Sequence, residues 1–172
     1  WNIMSLYQSL KEGMMACRKE GVVPESIGID TWGVDVVPVA DDGSLLSMPR
    51  AYRDPYTVGV PERFFERISK EKVYEKTGIQ IMNFNTLFQM FASDEGNYLP
   101  LKYAGKLLFM PDALSYMLTG KKVCEYTIAS TSQILNPRLK EFDTELLNAA
   151  GFGSEIFPEI VMPGTVIGTL ND

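Results

Sequence analysis

Two carboxylates, a tryptophan and a glycine lie close together in the sequence, as Asp30, Trp32, Gly33 and Asp35. An aromatic ring can pack on the apolar C–H surface of a sugar, while a carboxylate accepts hydrogen bonds from its hydroxyl groups. A glycine between them would bend a strand or let a ligand approach the backbone closely. These residue types are therefore candidates for a carbohydrate-binding loop.

The same residues also have a purely structural interpretation. Alternation along a strand would place Asp30 and Trp32 on one face and Asp35 on the other. A β-bulge with Trp32 in the core and both acids in solvent explains the pattern without a ligand, and spacing alone favours this simpler interpretation.

Two further segments carry side chains that could contact a ligand. Arg53 precedes Asp54 in a predicted loop, where it could orient a substrate or form a surface ion pair of little energetic weight. Phe84 could be a core residue or a platform for a sugar ring. Asn85 and Thr86, which follow it, are equally typical of a helix N-cap.

The composition excludes several kinds of chemistry. The chain has 172 residues and no histidine, so it contains no Ser-His-Asp or Cys-His site and no zinc site that uses imidazole. It has neither a Walker A sequence nor a G-x-G-x-x-G motif, so no self-contained phosphate-binding loop is expected. No metal site is expected either.

Charge and cysteine usage restrict the partners and the compartment. With 16 basic and 22 acidic residues, a formal net charge of −6 and no basic run, nucleic acids and membranes are not expected partners. The chain has no apolar stretch of membrane-spanning length. Its two cysteines, Cys17 and Cys124, form no C-x-x-C pair, which favours a reducing, cytoplasmic location and leaves one bridge between them open.

Hydrophobic periodicity predicts an α/β domain in which a β-ribbon is followed by a mainly helical part. Helices are expected over residues 2–18, from Pro61 onward, and over 72–76, 85–92, 114–118 and 144–150. Strands are expected over residues 26–30, 34–39, 44–48 and 164–170, with a hairpin turn at Asp42 and Gly43.

In their order along the chain, these segments resemble the FGGY family of carbohydrate kinases. The resemblance rests on residues 28–35 (Gly-Ile-Asp-Thr-Trp-Gly-Val-Asp) and on the motifs at 51–54, 77–80, 84–87, 110–112, 118–120, 125–127 and 163–164. The string at 30–35 is the most specific, because other members of the family carry different residues in this substrate loop. It is similar to the string in the members that act on L-rhamnulose.

The resemblance implies the first of two actin-like (ribonuclease H-like) ATPase domains, with the sugar in the cleft between them. It implies ATP-dependent phosphorylation of the C1 hydroxyl of L-rhamnulose, in rhamnose catabolism, with Mg²⁺ as the accompanying ion. Gly33 falls on the family's substrate-contacting glycine. The other implied substrate-binding residues are Trp32, Asp30, Asp35, Arg53 and Phe84.

The resemblance also implies that residues 1–172 are an incomplete N-terminal domain. The family's phosphate motif would lie before Trp1, and a C-terminal domain after Asp172 would supply the catalytic base and most of the nucleotide site. No catalytic residue and no bound cofactor are therefore expected within the chain, which should be inactive alone. An exposed strand edge near Ile27 would leave the isolated chain self-associating or marginally stable.

Two alternatives remain open. One is a kinase of the same family for another ketose or polyol, such as fuculose, xylulose or glycerol, although Trp32 and Gly33 argue against it. The other is a non-catalytic sugar-binding module of actin-like fold, which the absence of an expected base would fit.

Overall fold

Helices account for most of the regular structure in residues 1–171, the part of the chain that the computed structural model describes. The α-helices are α1 (Ile3–Lys19), α2 (Val60–Phe64), α3 (Lys70–Thr77), α4 (Thr86–Glu95), α5 (Leu99–Lys102), α6 (Met110–Thr119), α7 (Tyr126–Ala129) and α8 (Thr144–Ala149). The strands are β1 (Val36–Val39), β2 (Lys106–Phe109), β3 (Cys124–Glu125), β4 (Leu135–Asn136), β5 (Glu141–Phe142) and β6 (Ile160–Val161). Short 3₁₀ turns cover Pro55–Thr57, Ser130–Ser132 and Ser154–Ile156.

The antiparallel pair β1–β2 separates two hydrophobic clusters. Because side chains alternate along a strand, Val36 and Phe109 face one cluster while Val37 and Leu108 face the other. The first cluster contains the buried aromatic rings of α2 and α4, and the second lies under α1 and α6. Strand β3 pairs with β6 in parallel, and β4 forms a short hairpin with β5.

The predicted helices are confirmed, with boundaries that differ from the expected ones by a few residues. Helix α3 begins after Ser69, whose hydroxyl accepts a hydrogen bond from Lys72 N, and it ends at Gly78 with φ +67°. Helix α6 likewise ends at Gly120, with φ +71°. Both glycines adopt the left-handed conformation that commonly terminates a helix.

Two of the predicted strands are wrong. Residues 26–30 form no strand, and Ile27 remains 43% exposed, because no neighbouring backbone within residues 1–171 pairs with this segment. Residues 26–30 therefore offer no strand edge, and self-association of the isolated chain stays a prediction. Residues 164–170 also form no strand, and Val166 is 88% exposed there. The strand in that region is β6, which precedes Pro163.

The predicted β-ribbon is shorter than expected. Its turn is present, with Gly43 at φ +92°, but the return segment contributes only the Leu45 bridge to Val39. The first strand begins at Val36 because Val34 has φ +70°, which interrupts the extended backbone. The principal partner of β1 is β2, which the sequence pattern did not predict.

Two acidic residues, the buried Asp112 and the half-buried Glu125, join the start of α6 to the end of β3. Asp112 is 2% exposed, and its Oδ1 accepts a hydrogen bond from Glu125 N at 3.1 Å. Glu125 caps α7 by accepting from Thr127 N and Ile128 N. Within the described residues, neither Asp112 Oδ2 nor Glu125 Oε1 has a hydrogen-bond partner. Burial raises the pKa of Asp112 to about 7, although the Glu125 N–H opposes this shift.

This raised pKa makes stability depend on pH. The folded state keeps the Asp112 proton up to about pH 7, whereas the ordinary pKa is 3.8, so the free energy of unfolding falls as pH rises between these values. We expect the stability of Asp112→Asn relative to wild type to increase by about 2 kcal/mol between pH 5 and pH 8. Urea unfolding at both pH values measures this. Asp94→Asn, at an exposed aspartate, is the control. The expectation would be contradicted if the free energies of unfolding of Asp112→Asn and wild type differed by the same amount at both pH values.

Candidate carbohydrate-binding site

The loop that enters β1 is held in a strained conformation at Val34. Its φ of +70° is rarely adopted by a β-branched residue. Val34 N donates to Thr131 Oγ1 at 3.2 Å, and Val34 O accepts from Thr86 Oγ1 at 2.7 Å. Gln89 Nε2 also donates to Val34 O, at 3.3 Å. These contacts satisfy the peptide groups of Val34 and fix the direction of the loop.

The carboxylate of Asp35 is the centre of the loop. It is fully buried, and its Oδ2 accepts from Trp1 Nε1 at 2.5 Å, Trp32 Nε1 at 2.9 Å and Tyr52 N at 3.3 Å. Its Oδ1 accepts from Gln89 Nε2 at 3.0 Å. Four donors therefore compensate the cost of removing this charge from water. Asp35 therefore holds the loop in place by hydrogen bonds to the segments around it.

The strand alternation predicted for this loop is wrong. The left-handed Val34 rotates the chain between Trp32 and Asp35, so their side chains meet in a hydrogen bond instead of lying on opposite faces. The structural interpretation is also wrong for Asp35, which is buried, and correct for Asp30, which is exposed. Trp32 is half-buried and packs against the cluster under α1 and α6.

Four aromatic rings form a continuous surface beside this loop, which we call the aromatic wall: Trp1, Trp32, Tyr52 and Phe84. Ring centroids are 4.3 Å apart for Trp1 and Trp32, 6.4 Å for Trp1 and Tyr52, and 5.4 Å for Tyr52 and Phe84. The exposed Arg53 guanidinium lies 5.0 Å from the Tyr52 ring centroid. Partly exposed rings beside a cationic donor are suited to a polyhydroxylated ligand.

A glycine is required at position 33 because Thr131 packs closely against its Cα. A Cβ at this position would lie 2.8 Å from Thr131 Oγ1 and 3.0 Å from Thr131 Cβ. Thr131 belongs to the Ser130–Ser132 turn, which follows α7. The turn therefore packs directly on the loop, and its position depends on the Glu125 cap of α7.

The structure brings most of the predicted site residues together. Trp32 and Phe84 form part of the aromatic wall, and Arg53 lies against its Tyr52 ring. Gly33 and Asp35 belong to the loop that supports the wall. Asp30 lies in solvent at the start of the loop, where its Oδ1 accepts from Thr31 N at 2.9 Å.

Several residues of the site were not predicted. They are Trp1, Tyr52, Thr86, Gln89 and Thr131. The aromatic pair could have been noticed, because Tyr52 is adjacent to Arg53 and tryptophans are rare in the chain. The polar residues carry no such signal, because their hydroxyl and amide side chains are equally typical of a helix or turn.

No group of three His, Cys, Asp or Glu side chains in residues 1–171 is arranged to hold a metal ion. Cys17 is exposed and Cys124 is buried, and both are free thiols, so the bridge that the sequence left open is not formed. Over the same residues, none of the helices has the length and apolar character needed to cross a membrane.

The sequence model of the FGGY family of carbohydrate kinases, N-terminal domain, matches residues 1–172. The chain is 54% identical over 172 residues to the rhamnulokinase of Bacteroides thetaiotaomicron, covering 100% of this chain and 36% of that protein. It is 42% identical over 170 residues to the rhamnulokinase of Enterococcus faecalis, covering 99% of this chain and 34% of that protein. The chain therefore spans about a third of the length of these curated relatives.

Solved structures show the fold. A gluconate kinase from Lactobacillus acidophilus superimposes with a TM-score of 0.84 at 20% identity, over 98% of this chain and 35% of that one. The Plasmodium falciparum glycerol kinase with ADP superimposes with a TM-score of 0.82 at 17% identity, over 97% of this chain and 35% of that one. The expected actin-like α/β ATPase fold is confirmed.

The contact between Gly33 and Thr131 gives a direct test. We expect Gly33→Ala to lower the free energy of unfolding by about 1–3 kcal/mol, because the new methyl group must displace the Thr131 turn. Gly28→Ala is the matched control, since a Cβ there meets no atom within 4 Å. Urea unfolding measures the free energy of unfolding of both variants. Equal values would contradict the prediction, because they would show that the Thr131 turn moves aside at no cost in stability.

Proposed function

The chain belongs to the FGGY family of carbohydrate kinases, and we propose that it forms the sugar-binding part of an ATP-dependent kinase that phosphorylates L-rhamnulose at its C1 hydroxyl, in rhamnose catabolism. The aromatic wall held by the buried Asp35 is the observation that carries this proposal. Identity of 54% and 42% to proteins named rhamnulokinase supports L-rhamnulose over other sugars.

Each side chain has a distinct part in the proposed binding. Trp32 and Phe84 offer ring surface to the C–H groups of the ketose. Arg53 donates hydrogen bonds to its oxygen atoms, and the exposed Asp30 accepts from its hydroxyl groups. Gly33, against whose Cα Thr131 packs, would contact the sugar through its peptide groups. Asp35 acts through the loop that it holds.

The proposed transfer needs groups that residues 1–171 do not provide. Phosphoryl transfer depends on positioning and on charge stabilisation by Mg²⁺. We assign to the described residues only the binding and orientation of the sugar. A phosphate motif before Trp1 and a second domain after Asp172 would supply the base and the nucleotide site, in a cytoplasmic enzyme.

Sugar binding by the full-length kinase that contains this domain tests the proposal. We expect selective binding of L-rhamnulose over L-fuculose, D-xylulose and glycerol. We expect Trp32→Ala to weaken it by at least about fivefold, or roughly 1 kcal/mol, because one of the two indole rings of the wall is lost. Isothermal titration calorimetry measures both effects.

A second substitution at Trp32 separates the effect of the ring from that of its hydrogen bond, and a substitution outside the wall is the control. Trp32→Phe keeps an aromatic surface but loses the N–H that binds Asp35, so it should retain more affinity than Trp32→Ala. Tyr103→Ala removes a ring that is 68% exposed and outside the wall, and should not change affinity. Unchanged binding in Trp32→Ala would make Trp32 a core residue only. Preference for another sugar would retain the kinase family and overturn L-rhamnulose.

The proposed division of labour also predicts the activity of the isolated chain. Residues 1–172 alone should show no ATP-dependent phosphorylation of L-rhamnulose, because they would lack the base and the phosphate-binding segment. A coupled assay for ADP release measures this, with the full-length kinase as the positive control. Turnover above the no-enzyme background would overturn the division.

A further inference from the structure

The side chain of Gln89 connects the two segments that carry the aromatic wall. It projects from the second turn of α4 and is 3% exposed. Its Nε2 donates to Phe84 O at 2.8 Å, to Asp35 Oδ1 at 3.0 Å and to Val34 O at 3.3 Å. One amide group therefore touches the segment before α4 and the loop before β1.

These acceptors lead directly to the rings of the wall. Phe84 O belongs to the residue whose ring packs on Tyr52. Asp35 accepts a hydrogen bond from Trp32 Nε1 through its second oxygen, so two successive hydrogen bonds link the Gln89 amide to the indole. A shift of this amide would move Trp32 and Phe84 relative to each other.

The orientation of the Gln89 amide is set by a half-buried tyrosine, Tyr56. Tyr56 OH donates to Gln89 Oε1 at 2.5 Å, which leaves the Nε2 group to face the three acceptors. Burial raises the pKa of Tyr56, so its hydroxyl keeps its proton and remains a donor. The Tyr56 ring is itself fixed, because the Arg50 guanidinium lies over it at 4.0 Å from the centroid.

We propose that Gln89 is a positioning residue that sets the spacing between Trp32 and Phe84, and thereby the affinity of the site for its sugar. The inference rests on the proposed function, since it assigns Gln89 to the same sugar site. Gln89 acts through Asp35, Val34 and Phe84, and its contribution appears in sugar binding more than in the chemical step. Tyr56 assists by holding the amide in one orientation.

The test compares steady-state kinetics of full-length variants. Gln89→Met keeps the length of the side chain and removes its donors and acceptor. It should raise the KM for the sugar about tenfold and change kcat and the KM for ATP by less than about threefold. Tyr56→Phe removes only the hydroxyl that orients the amide, and should raise the sugar KM by about threefold.

Ser93→Ala is the matched control. Ser93 is equally buried, lies one turn further along α4, and donates to the Gln89 backbone oxygen without touching the wall. We expect it to leave the sugar KM unchanged. The proposal is overturned if Gln89→Met leaves the sugar KM unchanged, if both KM values rise together, or if Ser93→Ala has the same effect. Should Gln89→Met not fold, the sugar KM of Tyr56→Phe decides alone.

The sugar in this test is the one that the wild-type kinase phosphorylates best among L-rhamnulose, L-fuculose, D-xylulose and glycerol. A preference for another member of the panel would overturn the assignment to L-rhamnulose without affecting the comparison between variants. Loss of the Gln89 effect in an enzyme that phosphorylates L-rhamnulose would overturn only the positioning role.

Discussion

A single buried carboxylate controls how the proposed sugar-binding face of this domain is assembled. Asp35 has no exposed surface, and removing an ionised group from water costs several kcal/mol unless donors replace the solvent. The donors come from Trp1, Trp32, Tyr52 and Gln89, which lie far apart in the sequence. Satisfying one charge therefore brings the N-terminus, the loop before β1, the segment before the Pro55–Thr57 turn and α4 to one place.

The same constraint explains why the loop tolerates a strained backbone. Val34 can keep a left-handed φ because its N–H and C=O are both hydrogen-bonded. The Ser130–Ser132 turn also packs tightly against the neighbouring Gly33, which restricts the loop. Strain of this kind persists only where the surroundings over-determine the conformation. In return, the loop turns Trp32 toward Asp35 and keeps its indole half-exposed.

Local signals in the sequence predicted the helices and the residue types of the site. Ser69 and Gly120 act within one turn of their own helices, so their effects can be read from neighbouring residues. The pairing of β1 with β2 could not be predicted in this way, because Val37 and Leu108 lie far apart in the sequence and no local signal links them. The hydrogen bond between Trp32 and Asp35 was also hidden, since alternation along a strand fails once Val34 turns left-handed. Gln89 and Thr131 gave no signal, because their importance arises from the segments that the fold brings to them.

The location of the site within the fold fits what a kinase of this family requires. The β1–β2 pair lies between two hydrophobic clusters, and the loop before β1 is attached to both, through Trp32 on one side and through α4 on the other. Phosphoryl transfer gains most of its rate from fixed geometry, so a sugar platform on flexible loops would lose much of that advantage. In the proposed site the aromatic rings would form the contact surface, while the hydrogen-bonded network of Asp35, Gln89 and Tyr56 holds the segments that carry them. Selectivity among ketoses would then depend on how closely each sugar matches the spacing of these rings.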